Sequence, residues 1–540
     1  MSRQVQNQST FVLHFSQMTM KHILTLFILL QIPFPFCSAQ KLFYAEPDRE
    51  DSRNMNFEIL GKYQQKYLIY KNNRNNHSVA IYDAEMQLKD KVPLDFIPDR
   101  VDEVLVYPMQ ESVVFIYQYQ RKNTLYCMGA RIDGEGNLIG QPIEIDTTEM
   151  NFFSGNSKVY SVITSDDKKK LMVFKMQNRY RDEFNFQTIL LSQNLMPVRR
   201  TGFTYLLENS RETISDFYLD NDGNFLFVHV RQQSEKEYIS KATLCVFPSD
   251  GDSVLQKPLE LNQKYLDEIR IKVDNTNGRY LLLSFYSNSK RGSIDGLYLA
   301  SVGKQMNDQA EGKYFEFDDE FRKIARGENN LRNAFNDYYL KHFIIRKDGG
   351  VLVTAESAYT STRGNNLNRW DNPFLWGNGG MMGPGSYWGW NPYNPWGWGG
   401  GWGNTWGNPW GWGGGFPSNQ SVRHYSDNVL IFSFDKTGSM QWNNMLAKSQ
   451  FDDNTDNLLS YQIMNSGTEL LLLYNEWMRR SPVLTAQSLD GAGTINRQKP
   501  LRSIDKGYDF MIRFARQVSS REVIVPANFR NSVGFVRIEF

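Results

Sequence analysis

The sequence predicts an all-β fold, a β-propeller of eight four-stranded blades. Three observations predict it. Short apolar runs alternate with polar turns, the pattern recurs in units of mostly 45 to 57 residues, and the last unit lacks a strand that the start of the chain can supply.

Each unit opens with a hairpin whose turn is rich in Gly, Asp and Asn. The turns are Ser165-Asp166-Asp167-Lys168, Asp220-Asn221-Asp222-Gly223, Asp274 to Gly278, Arg346 to Gly350 and Asn465-Ser466-Gly467. Strand-like runs follow them, among them Leu171 to Phe174, Phe225 to Val228, Tyr280 to Phe285, Val351 to Val353 and Leu470 to Tyr474. Turn residues between apolar runs are the hairpin signature. A second hairpin follows in most units and opens on an aspartate, as in Asp133-Gly134-Glu135-Gly136, Asp435 to Gly438 and Asp490 to Gly493. Tyr82-Asp83-Ala84-Glu85 and Pro248 to Gly251 read as degenerate forms.

Units start near Phe57, Asp102, Val159, Ile214, Ile269, Lys341, Tyr461 and Phe510. A sandwich of ordinary size does not need eight such units. A seven-bladed partition of the same strands is the alternative. The last unit offers about three strands, and Lys41 to Tyr44 is a spare one. Using it to complete the last blade closes the ring and removes an unpaired edge. Residues 318–339 break the pattern. Phe321, Ile324, Leu331 and Phe335 are spaced for one or two short helices between the fifth and sixth units.

The chain has 540 residues and a net charge of +1, with aromatics at 14%. That balance speaks against a nucleic-acid partner. Lys21 and His22 precede an apolar run, Ile23 to Ile32, and Cys37-Ser38-Ala39 ends at Gln40. This is the layout of a cleaved signal peptide over residues 1–39, with Met18 or Met20 as alternative starts. The run is too short to stay as a membrane span, so the mature chain, 40–540, has no transmembrane helix. Phe36 stands where a lipoprotein signal places a small residue, which argues against lipid attachment at Cys37. The mature chain keeps Cys127 and Cys245, two units apart, which reads as two buried thiols.

No reaction can be read from the residues. His77, His229, His342 and His424 lie in different units without metal-ligand spacing. Asp220 to Asn224 resembles the start of a calcium loop but lacks its later ligands, so a hairpin is the reading. Ser433 to Gly438 with Trp442 resembles a blade element of quinoprotein-type propellers. The spacing is one residue short, so the expectation is a Trp packed between blades. No cofactor, metal or catalytic residue is assigned.

One segment stands apart. Ten of the twelve tryptophans lie between Trp370 and Trp412, and no charge occurs from Asn372 to Val422. The Trp/Gly/Asn/Pro-rich stretch, residues 360–422, is read as an insertion in the sixth blade. Gly and Pro oppose regular structure there. Trp388, Trp390, Trp396, Trp398, Trp402, Trp406, Trp410 and Trp412 are the candidate partner-binding residues. An indole joins a broad apolar face to one N–H donor, which suits sugar rings, a membrane interface or a groove on another protein. The alternative is a loop that covers its own propeller or stays low-complexity.

The Ser38-Ala39-Gln40 exit, Lys347 to Val353, and Val429 to Trp442 resemble a poorly characterised propeller-like family of secreted envelope proteins of Bacteroidota. Members often carry Tyr/Trp-rich insertions between those same elements. The resemblance covers the C-terminal half best and brings no catalytic residues. It implies export to a gram-negative envelope, in the periplasm or at the outer surface. By analogy it suggests an accessory or plug-like subunit of a type IX secretion translocon. Three functions compete: a non-catalytic scaffold bound to an outer-membrane or envelope protein complex, a glycan-binding or glycan-cleaving propeller, and a surface structural protein.

Overall fold

The computed structural model describes residues 40–540 apart from 48–50, 52–54, 151–158, 181, 210, 233–236, 327–332, 363–364, 367–421, 454–455, 479–480 and 498–506. Eight antiparallel sheets follow one another along the chain as an eight-bladed β-propeller. Blades 1 to 4 occupy 56–93, 103–149, 160–206 and 212–258. Blades 5 to 8 occupy 265–316, 338–453, 461–497 and 508–539. The strands of each blade are lettered a to d in chain order.

Burial sets the direction of each blade. Strand a and strand d are both sheet edges, yet Arg270–Asp274 of blade 5 is buried throughout and Leu88–Pro93 of blade 1 is mostly exposed. Strand a is therefore innermost. The middle strands are buried on both faces and read as near-continuous apolar runs. In strand 5b, Arg279–Ser287, Tyr280, Leu282 and Tyr286 pack toward blade 4. Leu281, Leu283 and Phe285 pack toward blade 6. Successive side chains of a strand point to opposite faces, so one run supplies two interfaces.

Apolar clusters of this kind join blades 1–2, 2–3, 3–4, 4–5, 5–6 and 6–7. Another joins blade 8 to blade 1 through Met511, Val533 and Phe535 against Phe57, Ile59 and Tyr67. Blades 7 and 8 meet through Asn475 Nδ2, which donates to the Phe510 carbonyl at 2.7 Å, and Gln462 Nε2, which donates to the Ala515 carbonyl at 3.1 Å.

Ring closure follows the expected route. Strand Lys41–Tyr44 pairs with Ser532–Glu539 as the fourth strand of blade 8. The Ala45 N–H donates to the Phe535 carbonyl at 2.9 Å. The Arg537 guanidinium lies 4.0 Å from the Phe43 ring centre. Buried Asp51 takes Lys71 Nζ of blade 1 at 2.6 Å, which carries the link into the first blade. Glu522 of blade 8 pairs with Lys62 of blade 1 at 2.8 Å and also with Arg537.

Between blades 5 and 6, Asp319–Arg326 forms α1. Asp318 caps it, its Oδ1 accepting the Phe321 N–H at 2.8 Å. Phe321 and Ala325 pack with Phe317, Phe335 and Phe432.

Candidate functional site

A four-stranded meander places its a–b and c–d turns at one end and its b–c turns and blade-to-blade connections at the other. The ring therefore has two unlike faces. The a–b and c–d face repeats one turn. Asp133 Oδ1 accepts the N–H groups of Glu135 and Asn137 at 2.8 and 2.9 Å. Asp220, Asp435 and Asp490 do the same two and four residues on. The fourth position is left-handed in each, as Gly136, Gly223, Gly438 and Gly493. A type I turn followed by a left-handed residue closes a hairpin in this way. Asp220 to Asn224 is thus a hairpin with its aspartate fully buried.

The Asp83 turn, degenerate in sequence, has the full geometry. Asp83 Oδ1 accepts from Glu85 and Gln87, and Met86 takes the left-handed position at φ 60°. Leu195 and Met306 fill the same position in blades 3 and 5. The opening aspartate was enough to mark the Asp83 turn, whereas the turns ending at Leu195 and Met306 open on Ser192 and Gly303 and lacked that cue. Asn side chains link the turns around the ring. Asn221 Oδ1 accepts the Asp167 N–H, and Asn275 Oδ1 accepts the Asn221 N–H, both at 3.1 Å. Trp442 reaches from blade 6 to the blade 7 turn and donates to the Gly491 carbonyl at 3.3 Å, the packing expected of it.

The opposite face departs from the repeat at blade 6. Its strands b and c, Val351–Thr362 and Val422–Phe434, have 12 and 13 residues, the longest among the described residues. Their pairing shifts register between Glu356 and Ala358 and then continues to Thr362↔Val422. The chain from 363 to 421 is therefore the b–c connection of blade 6. The extra strand Gln450–Asp453 pairs with Arg423 to Ser426 and widens this extension.

A buried polar cluster anchors it. The Glu356 carboxylate accepts Lys448 Nζ at 2.8 Å, Ser426 Oγ at 2.6 Å and Ser460 Oγ at 2.7 Å, with Lys341 Nζ at 3.4 Å. Burial alone would raise the Glu356 pKa, but Lys448 and Lys341 overcome it and hold it down at about 2. Gln450 extends the cluster, donating to the Asn475 carbonyl of blade 7 at 2.7 Å. The extension is thereby fixed to the next blade. These partners lie far apart in sequence and carried no local signal.

An aromatic ledge lies on the extension. Tyr359 and Tyr425 stack at 4.6 Å, and Phe451 stacks on Trp477 of blade 7 at 6.0 Å. Phe451 and Trp477 are 43% and 36% exposed, high for large apolar side chains beside a buried network. Arg423 lies 4.8 Å over the Phe451 ring and pairs with Asp453 at 2.7 Å.

The eight candidate residues, Trp388, Trp390, Trp396, Trp398, Trp402, Trp406, Trp410 and Trp412, lie outside the described residues. So does the 1–39 segment. Cys127 and Cys245 are buried and unbridged, in blades 2 and 4. Among the described residues no three His, Cys, Asp or Glu side chains form a metal-holding group, and no helix is long and apolar enough to cross a membrane. His229 is a strand residue beside Glu212, at 3.2 Å. Burial pushes His77 and His342 down to about 4. Two carboxylates on inner strands sit against arginines of neighbouring blades: Glu58 with Arg516, and Asp216 with Arg270, each at 3.8 Å.

No protein-family model and no curated protein matches the chain. Among solved structures it is similar to the WD40 domain of SCAP from fission yeast, at 9% identity, 90% coverage of this chain, 98% of that chain and a TM-score of 0.37. It is also similar to prolyl oligopeptidase B from Galerina marginata, at 10% identity and a TM-score of 0.36, covering 90% of this chain and spanning 56% of the oligopeptidase. The Synechocystis apocarotenoid oxygenase gives 8% identity, 93% and 94% coverage and a TM-score of 0.33. Likenesses so distant say nothing of function. The propeller rests on this chain's own strand pairing.

Proposed function

We propose that this protein is a non-catalytic interaction scaffold of the cell envelope, exported by its 1–39 segment, that meets a protein partner through the Trp/Gly-rich connection of blade 6. The observation behind this reading is that the connection, uncharged from Asn372 onward, joins the two longest strands among the described residues, which lie beside an exposed aromatic ledge. Propellers commonly serve as rigid discs with variable loops. Docking a few indoles contributes ~1.5–3 kcal/mol each, enough to offset much of the ordering of a short loop. An accessory or plugging subunit of an outer-membrane transport or secretion complex suits a rigid disc with an apolar projection. The test is deletion of residues 387–416. The ring should keep its thermal transition, and the partner recovered with the native protein from detergent-solubilised envelopes should be lost. Undiminished recovery would overturn the proposal.

A further inference from the structure

The face that carries the blade 6 connection has a second chemistry. In three successive blades the b–c hairpin tip is a basic residue followed by asparagine: Arg530-Asn531 in blade 8, Arg74-Asn75 in blade 1 and Lys122-Asn123 in blade 2. Arg530, Arg74 and Lys122 are all exposed. All three hold left-handed backbone, at φ 54°, 53° and 58°. That region favours Gly, Asn or Asp, so a long basic side chain is a strained choice at each tip. Arg121 adds a further exposed charge beside Lys122. None of these tips carries an acid. Acids do stand elsewhere on this face, Asp182 at the blade 3 tip, Glu149 on the outer strand of blade 2, Asp453 on the blade 6 extension, and Asp95 and Asp99 between blades 1 and 2, so the basic run is confined to the tips of blades 8, 1 and 2. The opposite face is tiled instead with the aspartates of its turns, Asp83, Asp133, Asp435 and Asp490 among them.

We infer that this basic arc docks the ring on an anionic lipid surface, with the b–c face toward the headgroups. Three features favour lipid over a single anionic ligand or an acidic protein. The charges are spread one or two to a tip over neighbouring blades, which matches a surface bearing many separate anions. Guanidinium groups lie over rings at the same end, Arg530 over Phe529 at 5.1 Å and Arg423 over Phe451 at 4.8 Å. Phe529 is half-buried and Phe451 exposed, and arginine beside aromatic rings is a pairing found at membrane–water boundaries, with the ring at headgroup level. Finally, Phe451 and Trp477 present apolar surface on this face. The arc goes beyond the protein contact proposed above and stands or falls separately.

The test is flotation of the purified protein with vesicles of phosphatidylcholine mixed with phosphatidylglycerol, and with phosphatidylcholine alone. The protein should float with the anionic vesicles at low salt and be released at 1 M, where the screening length falls to ~3 Å. The variant carrying Arg74→Asn, Lys122→Asn and Arg530→Asn keeps residues that accept the left-handed tips, so the ring should stay folded. Each lost charge should weaken partitioning about fivefold, a loss on the order of a hundredfold for the three. Replacing Lys347 and Lys436 of the other face by Gln should change nothing. Equal flotation of variant and parent would overturn the inference, as would capture by polyglutamate without capture by anionic vesicles. If deletion of 387–416 loses the protein partner but keeps charge-dependent flotation, the arc stands on its own. If that deletion alone abolishes flotation and the tip variant does not, the arc is refuted.

Discussion

The two faces of the ring are built from the same strands and follow different rules. On the a–b and c–d face five turns close themselves in one way, with Asp83, Asp133, Asp220, Asp435 or Asp490 accepting two backbone N–H groups and a left-handed residue ending the loop. On the b–c face the tips of blades 8, 1 and 2 carry arginine and lysine, α1 crosses between blades, and blade 6 extends outward on a buried Glu356–Lys448 pair. The difference teaches that a meander separates scaffold from variation by strand parity. One end can be held by local hydrogen bonds while the other is free to accept insertions.

The comparison breaks first at the buried pair. Glu356→Ala leaves Lys448 enclosed with only neutral hydrogen-bond partners, Ser426 and Gln450, and should cost about 3–5 kcal/mol in denaturant unfolding, more than any single turn aspartate. A loss under 1 kcal/mol would show that the extension is not anchored there. The inner strands give a pH test. Burial pushes Glu58 up to about 8 and Asp216 up to about 7, against the pull of Arg516 and Arg270. The folded state then holds protons that the unfolded chain has released, so stability should rise as pH falls from 8 toward 5. The combined Glu58→Gln, Asp216→Asn variant should flatten that slope, worth on the order of 6 kcal/mol across the window.

Two glycines sharpen the turn side. Gly493 is left-handed at φ 87°, and an added Cβ would meet the Trp442 ring at 2.7 Å. Gly467 is left-handed at φ 96° with open space around it. Gly467→Ala should cost about 1 kcal/mol from backbone strain alone, and Gly493→Ala about 2 or more, since the indole must also move. Equal melting shifts would show that Trp442 does not brace the blade 7 turn. Asp490→Ala should cost about 1 kcal/mol through its two lost backbone bonds. The smallest effect belongs to the ledge. Trp477→Ala should change stability by less than ~1 kcal/mol, and its reading is partner recovery, which should fall.

Much of the ring was legible because its causes are local. Strand 5b announces itself by apolar residues on both sides of a period of two, and the Asp-to-Gly turns by their hydrogen-bonding chemistry. The short last unit and the spare Lys41 to Tyr44 strand pointed to closure through blade 8, where the pairing lies. The turns at Met86, Leu195 and Met306 were less legible because packing holds a left-handed conformation that their side chains disfavour. The basic-Asn tips were present as a repeated dipeptide, but its meaning requires knowing that all three tips share one face.

The sequence alone determined the strand repeat, the turn chemistry and the place of the indole-rich stretch within the sixth unit, since each depends on neighbours a few residues apart. Only the tertiary structure decided that Glu356 meets Lys448, that Glu58 and Asp216 are enclosed beside arginines, and that arginine and lysine tips gather opposite the aspartates. Those facts arise from contacts between distant segments, and a chain acquires them when its blades close around one axis.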